Sequence, residues 1–127
     1  MTIKEVAEKF DLTQDTLRYY EKVGLIPKVN RTKSGIRFYS EQDLRQVEFV
    51  KCMRQAGLSI EVLAQYVSLY QEGDKTMAKR KQILIDERSH LLERMAEMQE
   101  TLNRLDFKIN NYERAMRGET KIKKEDI

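Results

Sequence analysis

Five side chains in one short stretch, Gln14, Asp15, Thr16, Arg18 and Tyr19, could do hydrogen-bonding and ionic chemistry from a single helix face. Gln14 and Thr16 can donate and accept. Asp15 can accept from a cytosine amine, or simply favour a helix start, and Arg18 and Tyr19 suit phosphate oxygens. Residues near the start of a recognition helix reach base edges in a major groove. Taken singly, each would serve equally well as solvated helix surface. A second group follows in sequence. Between Lys22 and Ser40 the residues Lys22, Lys28, Arg31, Lys33 and Arg37 carry a local charge of +5 with no Asp or Glu. A stripe of one sign is the electrostatic footprint of a phosphate backbone, and a solvated loop has the same composition.

Cys52 and His90 are the remaining reactive side chains. Cys52 lies in Phe49-Val50-Lys51-Cys52-Met53-Arg54. Phe49, Cys52, Met53 and Ala56 recur at helical spacing as an apolar stripe, which favours an inert buried thiol. Lys51 and Arg54 could instead lower its pKa, although adjacent helical residues do not share a face. His90 has no second ligand near it in sequence and reads as a solvated or packing residue. The chain has no metal-ligand cluster, no Gly-rich phosphate loop and no nucleophile with a histidine base. The expectation is therefore no enzyme, no catalytic or metal site and no cofactor.

The elements that must position these residues follow from caps and periodicity. Thr2 and Glu5 have capping-box spacing, so a helix should begin at Ile3 with Val6, Ala7 and Phe10 on its apolar face. Thr13 is a good N-cap for a second helix, Gln14 to about Lys22, whose Leu17 and Tyr20 can pack back on the first. Two short helices joined by a tight turn form a helix-turn-helix over about 3–22. Gly24 and Pro27 stop the second helix. A wing over about 28–39 would follow, with a turn at Asn30 to Gly35. Alternation in Ile36-Arg37-Phe38-Tyr39 predicts a short strand with Ile36 and Phe38 inward and Arg37 and Tyr39 outward. Ser40 and Asp43 start a third helix to Gln55, apolar on much of its circumference. Ser59 caps a fourth to about Gln71.

From about Lys75 to Arg117 there is no Gly or Pro. Met77, Leu84, Leu91, Met98, Leu105 and Tyr112 recur every seven residues, and Lys81, Arg88, Met95, Leu102, Ile109 and Met116 recur four residues after each. Ten of these twelve heptad positions are apolar, against about five expected from a chain that is 40% apolar, so the seam is a real pattern. Ile83, Ile85 and Leu92 lie off the seam, so the first half of this helix should meet a second surface as well. No other helix in the chain is long enough to cover the seam, and a second copy of the chain is the economical partner. The expected organisation is a DNA-binding domain at 1–71, a dimerisation helix at 75–117 and a frayed charged tail at 118–127. Leu84, Leu91, Met95, Met98, Leu102, Leu105, Ile109 and Tyr112 are the expected dimerisation residues. The longest aliphatic run, Ile83-Leu84-Ile85, is too short to span a membrane. The amphipathic N-terminus lacks a signal-peptide core, and one cysteine cannot form an internal disulfide, which fits a reducing cytosol.

In order and spacing, Ala7-Glu8, Thr16-Leu17-Arg18-Tyr19-Tyr20-Glu21, Gly24-Leu25-Ile26-Pro27, Gly35-Ile36-Arg37-Phe38-Tyr39 and Gly57-Leu58-Ser59 resemble the DNA-binding domain of the MerR family of bacterial transcription regulators. The resemblance covers about residues 1–70. It implies a mainly α fold: a winged helix-turn-helix followed by a long C-terminal helix that forms an antiparallel coiled-coil homodimer. It also implies a cytoplasmic, bacterial protein that binds a pseudo-palindromic operator in double-stranded promoter DNA. Distortion of that DNA would align the promoter for RNA polymerase, so specificity would depend partly on DNA deformability. By family position Arg18, Tyr19, Tyr20, Arg37 and Tyr39 contact the backbone. Gln14, Asp15, Thr16 and Lys33 complete the expected DNA-binding set. Metal-sensing members carry cysteines near the start of the long helix and after it. Met77 to Lys81 has none, and nothing after Tyr112 is Cys or His. Drug-sensing members have a large C-terminal ligand domain, whereas this chain ends about ten residues past its coiled coil. What remains resembles the aldehyde- and thiol-stress-responsive branch, with Cys52 as sensor of electrophiles or oxidants. A regulator that responds to a small ligand with Cys52 purely structural is the alternative. A coiled-coil adaptor would explain 75–117 but not the wing.

Overall fold

The computed structural model describes residues 1–126. Five helices follow in order: α1 (Ile3–Phe10), α2 (Gln14–Lys22), α3 (Glu41–Gln55), α4 (Ile60–Gln71) and α5 (Met77–Met116). Short 3-10 turns cover Asp74–Thr76 and Lys124–Asp126. The first four helices have the bounds their caps predict. The Thr2 hydroxyl accepts from the Glu5 N–H at 3.3 Å, and the Glu5 carboxylate accepts from the Thr2 N–H at 3.1 Å. These bonds to Thr2 hold the Glu5 carboxyl below its ordinary range. Ser40 and Asp43 repeat the arrangement at α3, at 3.1 and 2.9 Å. Thr13 and Ser59 cap α2 and α4 through single bonds to Thr16 and Val62.

The chain leaves α1 through Asp11, a non-glycine residue in the left-handed region with φ of 53°. Aspartate tolerates that conformation better than most side chains. The Leu12 N–H then bonds the Ala7 carbonyl at 3.0 Å, closing the turn between the two short helices. Another orphan carbonyl of this helix end, that of Phe10, accepts from the ammonium of Lys51 on α3. At the other end of α2, Gly24 takes φ of 80°, and the N–H groups of Leu25 and Ile26 both bond the Tyr20 carbonyl. Val6, Leu17, Tyr20, Ile26, Tyr39, Val47 and Val50 belong to one buried core.

The wing departs from the expected strand. It is a hairpin tied by Thr32 N–H to the Ile36 carbonyl at 2.8 Å and Phe38 N–H to the Asn30 carbonyl at 2.8 Å. Its only bridges are isolated, Thr2 with Phe38 and Arg31 with Arg37, among the described residues. Its phase is also opposite to the expectation. Tyr39 is 1% exposed and lies in the core, while Ile36 and Phe38 are 55% and 52% exposed. The cause is the chain beyond the hairpin. The Tyr39 N–H bonds the Met1 carbonyl at 2.7 Å and the Tyr39 carbonyl accepts from the Met1 amine at 2.9 Å, which turns the ring under the domain. The third helix is also less buried than expected. Val47 and Val50 are fully covered, whereas Leu44, Phe49 and Met53 are half-buried.

Residues Met1–Glu87 form one compact unit, so the first turns of α5 pack with the domain before them. A polar joint explains the boundary. Thr76, buried, donates to the carbonyls of Leu69 at 2.6 Å and Gly73 at 2.8 Å. Arg80 Nε donates to the Thr76 hydroxyl at 3.0 Å, Arg80 Nη2 reaches the Gly73 carbonyl at 3.3 Å, and the guanidinium lies 5.1 Å from the centre of the Tyr70 ring. The end of α4 and the start of α5 are thereby locked together. The second unit runs from Arg88 and holds the rest of α5 and the charged end, where Glu119 pairs with Arg117 and Arg114. Of the tail expected to fray over 118–127, Ile127 lies outside the described residues. No residue of α5 is buried within the single chain.

Thr76→Val keeps the shape of the joint but leaves carbonyls and the Arg80 guanidinium without the hydroxyl. The expected cost is about 1–3 kcal/mol in urea unfolding of the purified chain. A change under about 0.5 kcal/mol would mean that the joint is solvated and does not hold α4 to α5.

Candidate nucleic-acid interface

The outer face of α2 exists because its inner face is used. Leu17 and Tyr20 are buried, so Asp15, Arg18 and Tyr19 are exposed and Gln14 and Thr16 half-exposed. Three of the five, Gln14, Asp15 and Arg18, are linked to one another, and Thr16 is linked to Thr13. Arg18 Nη1 donates to Asp15 Oδ1 at 2.9 Å and Arg18 Nη2 to Gln14 Oε1 at 3.3 Å. The Thr16 hydroxyl lies 2.8 Å from that of the N-cap residue Thr13. The face is a small hydrogen-bonded network in which an acceptor and a donor are already matched. The Arg18–Asp15 pair is solvated and contributes little to stability, so a stronger partner such as a phosphate can replace it.

The wing supplies the second part. Lys33 is exposed at the tip of the hairpin, and Arg31 Nη1 braces that tip by donating to the Gly35 carbonyl at 3.0 Å. Arg37 is half-buried. Its Nε donates to Glu21 Oε1 at 2.8 Å, and Glu21 Oε2 accepts from the Val29 N–H at 3.2 Å. The sequence offered no sign of this pairing, because it joins residues sixteen apart across a turn. Helix face and wing come together electrostatically at Tyr39, on whose phenol both Arg37 and Arg18 act.

Tyr20 is buried, as its packing against α1 predicts, and Tyr39, expected to point outward, is a core residue, although family position assigned both to the DNA backbone. An aromatic ring at the crossing of two short helices and at the foot of a hairpin is the largest apolar area available there, and burying it stabilises the domain more than exposing it. Burial pushes both phenols above their ordinary pKa, with nearby arginines pulling back. The Tyr39 hydroxyl is also buried without a hydrogen-bond partner.

Cys52 departs from the buried-stripe expectation. Phe49, Met53 and Ala56 pack on the core, but Cys52 is exposed on the flank of that stripe. An adduct on it would therefore not overpack Phe49, Met53 and Ala56. The cations expected to activate it are engaged elsewhere: Lys51 on the Phe10 carbonyl and Arg54 Nη1 on the Leu58 carbonyl at 2.6 Å. His90 is exposed on α5.

Tyr39→Phe removes a buried hydroxyl that makes no bond, so stability should hold or rise by up to about 1 kcal/mol in denaturant unfolding. A loss larger than that would mean the hydroxyl is satisfied and the foot of the wing is built differently.

A family model described as MerR HTH family regulatory protein matches residues 1–69, and one described as MerR, DNA binding matches residues 44–106. The HTH-type transcriptional regulator AdhR of Bacillus subtilis is 59% identical over 93 residues. That match covers 73% of this chain and 66% of the relative, just under two thirds of its length. A crystal structure of a MerR family transcriptional regulator from Listeria monocytogenes is 48% identical with a TM-score of 0.87, covering 89% of this chain and 86% of that one. The crystal structure of HiNmlR, a MerR family regulator lacking the sensor domain, bound to promoter DNA, is 28% identical with a TM-score of 0.82, covering 91% of each chain. With its capped helix-turn-helix, its basic hairpin and its long final helix, the chain belongs to the MerR family of DNA-binding transcriptional regulators.

Proposed function

We propose that two copies of this chain pair through α5 as an antiparallel coiled coil and grip a pseudo-palindromic operator within a promoter spacer. Residues 1–71 read the duplex and residues 75–117 set the distance between the two reading heads. Gln14, Asp15 and Thr16 face base edges, while Arg18, Tyr19, Lys33 and Arg37 hold the backbone. Distortion of the gripped DNA then aligns the promoter for RNA polymerase. The observation that carries the reading is the uncovered seam. Met98 and Leu102 are 72% and 48% exposed, and Leu84, Met95, Leu105, Ile109 and Tyr112 are exposed with them along a helix about 60 Å long. A repeated apolar row of that length demands a partner helix of equal length. The likeness to HiNmlR, whose crystal structure is bound to promoter DNA, supports the same reading.

Light scattering should return twice the chain mass of 15.1 kDa at micromolar concentration. Leu102→Asp, which puts a charge into the seam, should shift the equilibrium to monomer and abolish protection of the operator in footprinting. A folded wild-type monomer that still protects a symmetric site would overturn the dimer.

We further propose that Cys52 is the input. Its exposure supports access by an electrophile: the thiolate attacks an aldehyde carbonyl carbon, an S–C bond forms as the C=O π bond opens onto oxygen, and that oxygen takes a proton from water to give a hemithioacetal. On a promoter reporter challenged with formaldehyde or methylglyoxal, Cys52→Ser should lose induction and keep operator binding. A mutant that is induced like the wild type would instead favour a small-ligand regulator. The cleft of about 450 Å³ lined by Phe49, Tyr66 and Tyr70 is the place to look for that ligand, since its volume is in the range of ligand sites.

A further inference from the structure

Glu21 sits where two rules disfavour a carboxylate. It is in the last turn of α2, where the helix dipole repels negative charge, and it is beside the wing that, on the proposed reading, meets phosphates. Even so, its side chain is 11% exposed against 22% for Arg37, and both of its oxygens are occupied. Oε1 takes the Arg37 Nε and Oε2 takes the backbone N–H of Val29. Among the described residues Arg37 makes its side-chain hydrogen bond through Nε alone, which leaves the Nη edge of the guanidinium for an acceptor from outside.

We propose that Glu21 is a positioning residue for DNA recognition: it fixes the plane and direction of the Arg37 guanidinium against the wing, so that the Nη edge meets a phosphate in one register. The inference rests on the DNA reading given above. Charge separates it from simple attraction. Glu21 cancels the Arg37 charge at a distance, so the pair adds little to steering or counterion release. What survives is short-range and directional, a planar fork held at one edge and free at the other. An unpaired arginine at the same place would hold any duplex more tightly and discriminate less.

The test is Glu21→Gln. A glutamine amide can accept from one of the two donors but turns N–H groups toward the other, so the double hold breaks while the size is kept. Binding is measured across a salt series to the duplex that the wild-type protein selects from a random-sequence pool, and to poly(dI-dC), with the melting of each variant followed alongside. Affinity for the selected duplex should fall about tenfold, while affinity for poly(dI-dC) holds or rises and the melting temperature holds. In an Arg37→Ala background the same change should have less than about a twofold effect, because the residue acts through the arginine. Equal gains on both duplexes would make Glu21 no more than an unfavourable charge. Parallel losses with a lower melting temperature would make it a structural clamp on Val29. An undiminished loss in the Arg37→Ala background would place its action elsewhere. Any of these overturns the inference. Should Glu21→Gln fail to fold, Arg37→Lys tests the same geometry, since lysine keeps the charge without Nε or the fork. Affinity for the selected duplex should then drop with poly(dI-dC) binding retained, and retention of both overturns the inference. A wild-type protein that selects no duplex overturns the DNA reading and this inference together. Selective wild-type binding unchanged in Glu21→Gln overturns this inference alone.

Discussion

Leu17 and Tyr20 on the inner side of α2 enter one buried cluster with Val6 of α1, Tyr39 at the foot of the wing and Val47 and Val50 of α3. A helix of nine residues is too short to be stable in water by itself. Its conformation, and the direction of its outer face, depend on that burial. Because Tyr39 shares the cluster, the same core that orients Gln14, Asp15 and Thr16 also fixes where the wing begins. Helix and hairpin therefore act as one rigid reading head rather than as two loosely joined parts.

The basic residues of this head are in different electrostatic states. Lys33 and Lys28 are solvated and unscreened by any carboxylate near them in sequence, so on the proposed reading they serve long-range attraction. Arg18 is loosely paired with Asp15 on an exposed face, where exchange of one anion for another is cheap. Arg37 is half-buried and tied to Glu21, which converts a mobile charge into a directed donor. Attraction, exchange and alignment are separate tasks, and the degree of burial of each cation decides which it can perform.

The head is tied to the long helix by the joint between α4 and α5. Thr76 and Arg80 satisfy the carbonyls at the end of α4 and on Gly73, so the first turns of α5 move with the head. Phe49 and Tyr66, with ring centres 5.7 Å apart, connect α3 to α4 on the same side of the domain. Cys52 lies on α3, exposed and outside the core stripe, so a modification there changes a surface rather than the packing beneath it. On the proposed reading, a signal from that thiol to the DNA passes through whatever surface covers α3 in the dimer, since the buried residues of the head do not feel it directly.

Local chemistry was readable in the sequence. Caps at Thr2, Thr13, Ser40 and Ser59, stops at Gly24 and Gly57, and the heptad row along α5 depend on neighbours within a few residues, and the helix bounds follow from them. The outward face of α2 was readable for the same reason, because a helix with Leu17 and Tyr20 inward has only one outward side. Tertiary structure alone decided the rest. A four-residue alternation fixes two opposite faces of the wing but not which one is buried, and the hydrogen bonds between Met1 and Tyr39 made that choice. Helical spacing put Cys52 near an apolar stripe but could not place the stripe's edge, which depends on how the rest of the chain covers α3. The partners of Glu21, Lys51 and Arg80 lie across turns or on other helices, where spacing along the chain carries no information about distance in space.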